Sequence, residues 1–186
     1  ENQMNYLTEI AFNPRIIAIG ETGLDKLKGP SYAIQIPVFK KHIELSEKLK
    51  KPVIIHCVKA WEELIQVRRE TNPSQPWIIH GYRGKPELTK RLVAEGFFFS
   101  VGDTINVDSM PLTPLNSLFC ETDEDDMDIR EVYAQAAQAV NMELEEFADK
   151  IAQNVHRVFP TLERPKLYDP EEEEKEERTR NATKKE

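Results

Sequence analysis

The sequence predicts an α/β fold in which a parallel sheet is covered by helices. Five short apolar runs are continuous rather than alternating, which is typical of parallel strands buried on both faces. Amphipathic stretches with helical spacing lie between these runs, and the connections are short. Strand–helix–strand units of this kind form right-handed crossovers. Two closures satisfy these observations, an open doubly wound sheet and a TIM (β/α) barrel.

The strands and helices alternate along the chain. Each predicted strand is rich in β-branched or aromatic residues, and in chain order they cover 16–20, 52–57, 76–80, 96–101 and 117–121. The predicted helices carry apolar residues three and four positions apart, and they cover 34–50, 60–70, 87–95, 129–140 and 143–158. Gly96 is expected to end the third helix, and Asn141 to cap the start of the last one.

We expect one barrel domain over residues 1–168 and a charged tail over residues 169–186. The tail contains no Ile, Val, Leu, Phe or Trp, so it cannot bury enough apolar surface to order itself. Its eight acidic and five basic residues contribute −3 to the net charge of −8, which leaves −5 on the body. An acidic body argues against a generally basic surface for phosphate, although bound metal ions can supply positive charge locally.

The chain has the features of a cytoplasmic protein that does not enter a membrane. Cys57 and Cys120 show no paired motif, so we expect two reduced thiols. No apolar run approaches membrane-spanning length.

Four potential metal ligands lie at the carboxyl ends of different predicted strands. Glu21 directly follows the first strand, His56 lies near the end of the second, His80 ends the third, and Asp123 follows the fifth. In a parallel barrel, active sites are assembled at this face from several strands. Carboxylates and imidazoles together suit zinc, manganese or magnesium ions. The positions predict a metal site, but no particular reaction.

Each of these residues also has an ordinary structural interpretation. A histidine at a strand end is more often structural than a ligand. Asp123 lies in the run Glu-Thr-Asp-Glu-Asp-Asp, and such charge runs are typical of solvated loops. Two histidines that end consecutive apolar strands in the same register favour the metal site.

An ordered set of segments resembles the TatD family of metal-dependent hydrolases. Gln35 and Phe39 belong to this set, together with the segments 17–25 (Ile-Ala-Ile-Gly-Glu-Thr-Gly-Leu-Asp), 51–57, 79–84, 96–102, 118–123 and 154–159. The resemblance covers roughly residues 7–160. The segments His-Cys-Val and Trp-Ile-Ile-His-Gly and the compact length are similar to the short variants of Bacteroides-type bacteria.

The resemblance implies a TIM barrel that holds one or two divalent metal ions, Mg, Mn or Zn. It implies hydrolysis of phosphodiesters, including exonuclease action on DNA. Glu21 would bridge two ions, and His56 and His80 would complete one site. Asp123 would bind the other ion and help to activate water, which makes Glu21 and Asp123 the catalytic residues.

Two cations are candidates for substrate contacts. Lys59 and Arg83 each follow a ligand histidine by three residues, and the resemblance places them near substrate phosphate. The alternative is that both are solvated loop cations.

One feature of the family has no counterpart. TatD proteins open with a His-x-His pair on the first strand and a second strand after it, whereas the four histidines here are 42, 56, 80 and 156. We therefore expect an N-terminally incomplete barrel, either a piece of a full enzyme or a truncated product, with weak or no nuclease activity by itself. Two other functions stay open: a TIM-barrel metallohydrolase of the amidohydrolase type and a non-catalytic truncated relative.

Overall fold

A computed structural model describes residues 2–124 and 126–162 of the chain. It contains one parallel sheet whose strands are β1 (Ile19–Asp25), β2 (Val53–Val58), β3 (Trp77–Ile79), β4 (Phe98–Val101) and β5 (Leu118–Cys120). The helices are α1 (Asn2–Ala11), α2 (Tyr32–Leu49), α3 (Trp61–Thr71), α4 (Pro86–Ala94), α5 (Ile129–Ala139) and α6 (Leu144–Val158). Two short 3₁₀ turns, Met110–Leu112 and Leu115–Ser117, connect β4 to β5.

The strand order distinguishes between the two predicted closures. The strands pair in the order β1-β2-β3-β4-β5, and every pair is parallel. A doubly wound sheet would reverse its order at a switch point, whereas a TIM barrel adds each strand beside the previous one. The fold is therefore TIM-barrel-like, as predicted. Within the described residues, β1 and β5 form the two edges of the sheet.

The first strand lies further along the chain than the apolar pattern predicts. It begins at Ile19 and ends at Asp25, so Glu21 lies inside β1 rather than after it. The pairing with β2 shifts by one residue between Ile19 and Thr22, which marks a bulge at Glu21. Gly23 permits the close pairing, because a Cβ there would lie 1.9 Å from the carbonyl oxygen of His56. The prediction of a strand at 16–20 was wrong because glycines that fit a strand look like turn residues in the sequence.

The other predicted elements are present within a few residues of their expected limits, but the role of Asn141 differs. Asn141 has a φ of 54° in the turn after α5, and the residue that precedes α6 at its N-cap is Glu143. The prediction of a cap at Asn141 was therefore wrong. Asparagine tolerates the left-handed conformation that ends a helix, so the same residue type serves a different purpose here.

Helix α1 is an element that the sequence pattern did not predict. Its residues Leu7 and Ala11 are four positions apart and pack against Ile19 of β1 and Leu45 of α2. The helix thereby covers the side of the sheet near β1.

Apolar side chains cover both faces of the sheet. On the face beneath the helices, Trp77 and Ile79 belong to the main core. Ile78, which points to the opposite face, packs with Phe119 and with Val158 of α6. Both faces of the sheet are therefore packed, and the polar residues of the candidate site lie at the carboxyl ends of its strands.

Asn154 of α6 fixes the position of β5. Its buried side-chain amide donates to the carbonyl oxygens of Leu115 at 2.6 Å and Leu118 at 2.8 Å. The contact accounts for the Asn in the segment 154–159 and holds the strand that leads to the acidic loop.

The predicted tail, 169–186, lies outside the described residues, and the predicted barrel domain is described as far as residue 162. In the described part of the chain, every helix is too short or too polar to cross a membrane.

Candidate metal centre

The structure brings the four predicted ligands together at the carboxyl ends of the strands, with His80 at the centre. The Nε2 atom of His80 lies 3.3 Å from Glu21 Oε2 and 3.1 Å from His56 Nδ1. The Nδ1 atom of His80 lies 3.9 Å from Asp123 Oδ2. The backbone N–H of His80 donates to the carbonyl of Ile55 at 3.1 Å, which continues the sheet pairing beyond β3 and fixes the main chain at His80.

Two overlapping groups of donor atoms result. The first comprises Glu21, His56 and His80, and the second comprises His80, Glu121 and Asp123. In each group the ligand atoms lie within 4.8 Å of one another. Their roles as ligands stay a prediction, but the spacing is short enough for one small cation to contact every member of a group.

Glu121 is the site residue that the sequence reasoning missed. It directly follows β5, its Oε1 accepts a hydrogen bond from the Gly81 N–H at 2.7 Å, and the same oxygen lies 3.5 Å from His80 Nδ1. Glu121 and Asp123 both face His80 Nδ1, although Asp123 lies in a turn with a φ of 50° rather than in extended chain. The available signal was the position of Glu121 at the end of the fifth predicted strand.

The carboxylates change the acidity of the central imidazole. The hydrogen bond to Glu121 raises the pKa of His80, burial acts in the opposite direction, and the charges of Glu21 and Asp123 add to the increase. The surroundings of His80 therefore favour a positive charge, and a metal ion has to compete with a proton for this ring.

Asp25 holds the second imidazole in place. Its Oδ2 atom lies 3.4 Å from His56 Nε2, while its Oδ1 atom accepts from the amides of Leu27 at 2.7 Å and Lys28 at 2.8 Å. Burial acts to raise the pKa of Asp25, but the two amides and His56 lower it overall. A charged carboxylate at Nε2 favours the proton on that nitrogen, which leaves the Nδ1 lone pair facing His80.

Gln35 of α2 anchors Asp25 in turn. The Gln35 side chain accepts from the Asp25 N–H at 2.8 Å and donates to the Asp25 carbonyl at 2.8 Å. Its amide also donates to the Pro30 carbonyl at 2.6 Å, so one side chain holds both ends of the loop after β1. These contacts give a structural reason for the Asp and Gln of the sequence motif.

A cleft of about 670 Å³ opens from His56, His80, Glu121 and Asp123. A second, shallower groove of about 440 Å³ contains Glu21 and meets the cleft at His56. The two cavities thus share His56, and the candidate ligands are divided between them.

Both predicted substrate-contact cations lie along the cleft. Lys59 and Arg83 are exposed and line it. Lys59 has a φ of 52°, a conformation that non-glycine residues adopt infrequently. Their contact with substrate stays a prediction, but both side chains stand within reach of the same depression.

The donor set fits a divalent cation of the magnesium, manganese or zinc kind. It consists of carboxylate oxygens and imidazole nitrogens. Burial raises the pKa of the Cys57 and Cys120 thiols to about 12, so neither is a thiolate at neutral pH. In the described ranges, no lysine or arginine forms a salt bridge with the three ligand carboxylates, Glu21, Glu121 and Asp123. A cation would neutralise this concentration of negative charge.

Comparison with known proteins shows the family of the chain. The profile of the family described as TatD related DNase matches residues 1–160. An uncharacterised metal-dependent hydrolase of Buchnera aphidicola is 33% identical over 132 residues, which is 66% of this chain and 50% of that protein. A protein of Erwinia billingiae named 3'-5' ssDNA/RNA exonuclease TatD is 32% identical over 129 residues, 63% of this chain and 49% of that protein.

A solved structure agrees at the level of the fold. The crystal structure of a TatD homologue from Escherichia coli superposes with a TM-score of 0.74 and 24% identity, over 84% of this chain and 70% of that one. The chain spans about half the length of the curated relatives it matches. The family profile, the chain-ordered parallel sheet and the acid–histidine cluster lead to one conclusion: the chain belongs to the TatD family of metal-dependent hydrolases.

Proposed function

We propose that this chain binds one or two divalent metal ions and hydrolyses phosphodiester bonds in DNA or RNA. The observation that carries the proposal is the pair of donor groups that share His80 at the carboxyl end of the sheet. The Erwinia relative is named as an exonuclease on single-stranded DNA and RNA, and we extend that substrate class to this chain. The free, half-buried cysteines are compatible with a cytoplasmic location, which we propose as well.

The two donor groups suggest different ion preferences. Glu21, His56 and His80 form a mixed nitrogen and oxygen set that suits Zn²⁺ or Mn²⁺. Glu121 and Asp123 add an oxygen-rich set that suits Mg²⁺ or Mn²⁺. When bound, a divalent ion supplies Lewis acidity to the phosphate and makes a neighbouring water more acidic.

The protein's own side chains account for the remaining chemistry. Asp123 is exposed at the cleft and is the carboxylate that we assign to take a proton from the attacking water. Glu121 accepts a hydrogen bond from the Gly81 N–H, so we assign it to positioning His80 rather than to proton transfer. Lys59 and Arg83 are assigned to the non-reacting oxygens of the phosphate. The water oxygen adds to phosphorus, and the bond from phosphorus to the leaving sugar oxygen breaks.

The experiment that tests the proposal measures metal content and cleavage of single-stranded DNA together. Glu21→Gln and His56→Ala are expected to abolish cleavage and to lower the metal content, because each removes a member of the first donor group and leaves the second intact. His42→Ala is the matched control, since His42 lies on α2 and its ring contacts the Val38 carbonyl rather than the cluster. Wild type and His42→Ala are expected to bind metal and to show the same weak cleavage.

Two results would contradict the proposal. If the wild-type chain bound no divalent ion, the metal centre would be wrong. If it bound metal and hydrolysed a small cyclic amide but not DNA, the phosphodiesterase assignment would be replaced by an amidohydrolase. Weak cleavage would agree with the expectation drawn from the missing His-x-His pair, provided that it disappears in Glu21→Gln.

A further inference from the structure

The cleft that contains the donor groups also has an aromatic side. Trp61, the first residue of α3, and Tyr82, which follows His80, both line it. Their ring centroids are 6.2 Å apart and the planes are nearly perpendicular, at 85°. This contact joins the loop after β2 to the loop after β3, and these are the loops that carry Lys59 and Arg83.

The aromatic side is preformed. Tyr82 is buried, its hydroxyl bonds to the Thr89 hydroxyl at 2.7 Å, and its N–H donates to the Ser100 carbonyl at 2.8 Å. A Cβ at Gly84 would lie 2.3 Å from the Tyr82 hydroxyl, so the chain packs closely over the ring. Because this support is already in place, a ligand that contacts Trp61 would not have to order the wall first.

In the described ranges, the two cations beside the aromatic pair lack the acidic partners that three arginines of the helices have. Arg69, Arg91 and Arg130 each form a salt bridge with an acidic side chain. For residues 2–124 and 126–162, no salt bridge involves Lys59 or Arg83. Two exposed cations without acidic partners, adjacent to an aromatic surface, form the combination by which proteins hold unpaired nucleotides.

We propose that Trp61 is the stacking platform of a nucleobase subsite, with Lys59 and Arg83 on the phosphates that flank the base. The inference rests on the proposed function and specifies its substrate. A stacked base has to present a free face, so the subsite selects single-stranded nucleic acid over duplex. The cleft of about 670 Å³ leaves room for a nucleotide beyond the metal-binding side chains.

The test compares two ligands that differ only in the base. One is a short thymidine oligomer with phosphorothioate links, which slow cleavage, and the other is an abasic oligomer of the same length and linkage. Both are titrated in the presence of Mg²⁺ against wild type, Trp61→Leu and Trp61→Phe. Leucine keeps an apolar cover over the core and phenylalanine keeps an aromatic face, so the pair separates packing from stacking. Thermal unfolding checks that each variant is folded.

Intrinsic fluorescence provides an internal reporter. The chain has two tryptophans, and Trp77 is fully buried, at 0% exposure. A change in emission when the thymidine oligomer binds therefore reports on Trp61, and the change should be absent in Trp61→Phe.

Stacking predicts that Trp61→Leu weakens binding of the thymidine oligomer about 10- to 100-fold, in line with ~1–3 kcal/mol per stacked base. Binding of the abasic oligomer should change less than about 2-fold, and Trp61→Phe should stay near wild type.

Equal losses for both oligomers, or no loss for either, would overturn the subsite. DNA cleavage without base-dependent binding would retain the hydrolase and reject the subsite. Base-dependent binding without cleavage would retain the subsite and reject the hydrolase.

Discussion

The charged side chains at the two ends of the sheet have different partners. At the amino ends of the strands, the Arg68 guanidinium lies over Trp77 at 5.2 Å and over Phe97 at 4.9 Å, and its Nε donates to the Glu95 carbonyl at 2.6 Å. The neighbouring Arg69 forms a salt bridge with the Glu95 carboxylate. Aromatic rings, a backbone carbonyl and a carboxylate of the protein therefore hold these two arginines, although Arg68 Nη1 is buried without a hydrogen-bond partner among the described residues.

At the carboxyl ends, the acidic groups outnumber their partners. Glu21, Glu121 and Asp123 converge on one imidazole, His80, and in the described ranges they have salt-bridge contacts with no lysine or arginine. The protein's own groups thus contact the charged side chains at the amino end, whereas the negative charge at the carboxyl end is left for a cation to neutralise. This division agrees with the general placement of TIM-barrel active sites.

The largest expected effect comes from His80→Ala. His80 belongs to both donor groups, so its loss should lower the affinity for divalent metal by about 100-fold or more, which is beyond the effect of removing an outer-shell residue. Calorimetric titration with Mn²⁺ measures it, and His156→Ala on α6 is the control. An unchanged metal affinity in His80→Ala would show that His80 is not the ligand shared by the two donor groups.

At the amino end, Arg68→Met should reduce the free energy of unfolding by about 2–3 kcal/mol, because two cation–π contacts and charged hydrogen bonds are lost. Urea unfolding measures the loss. Metal affinity should stay within about 2-fold of wild type, since the substitution leaves every donor group intact. Altered metal affinity in a folded Arg68→Met protein would show that the two ends of the sheet do not act independently.

Asp25→Asn should weaken metal binding by about 10- to 100-fold while stability changes little, because Asp25 orients His56 without belonging to either donor group. Asn keeps the shape and can still accept hydrogen bonds from the Leu27 and Lys28 amides. Titration with Zn²⁺ and Mn²⁺ gives the affinities. Full affinity in Asp25→Asn would show that the loop packing alone places His56.

The smallest effect concerns Asp128, the N-cap of α5. The hydrogen bonds from the Arg130 side chain and then from its backbone amide lower the pKa of Asp128 to about 2. A carboxylate with a depressed pKa stabilises the fold above its unfolded pKa of 3.8, and the contribution disappears as the pH falls to about 2. The Tm difference between wild type and Asp128→Asn should therefore be small at pH 6 and vanish near pH 2.

The sequence predicted the framework and four members of the cluster, since apolar runs and their polar ends are local features. It placed β1 too early, because only the pairing with β2 shows that the strand continues past Gly20 through Gly23 to Asp25. The roles of Asp25 and Glu121 depend on contacts across 31 and 40 positions, which no local pattern contains. Strand order likewise required the tertiary pairing.

The most direct test of the metal centre uses the chain's four histidines as reporters. His56 and His80 lie in the cluster, whereas His42 and His156 lie on α2 and α6. Imidazole ¹⁵N NMR during a Zn²⁺ titration at neutral pH resolves each ring. We predict that the His56 and His80 signals shift on addition of one or two equivalents of Zn²⁺, whereas the His42 and His156 signals stay unchanged. Unshifted His56 and His80 signals, or shifts confined to His42 and His156, would contradict it.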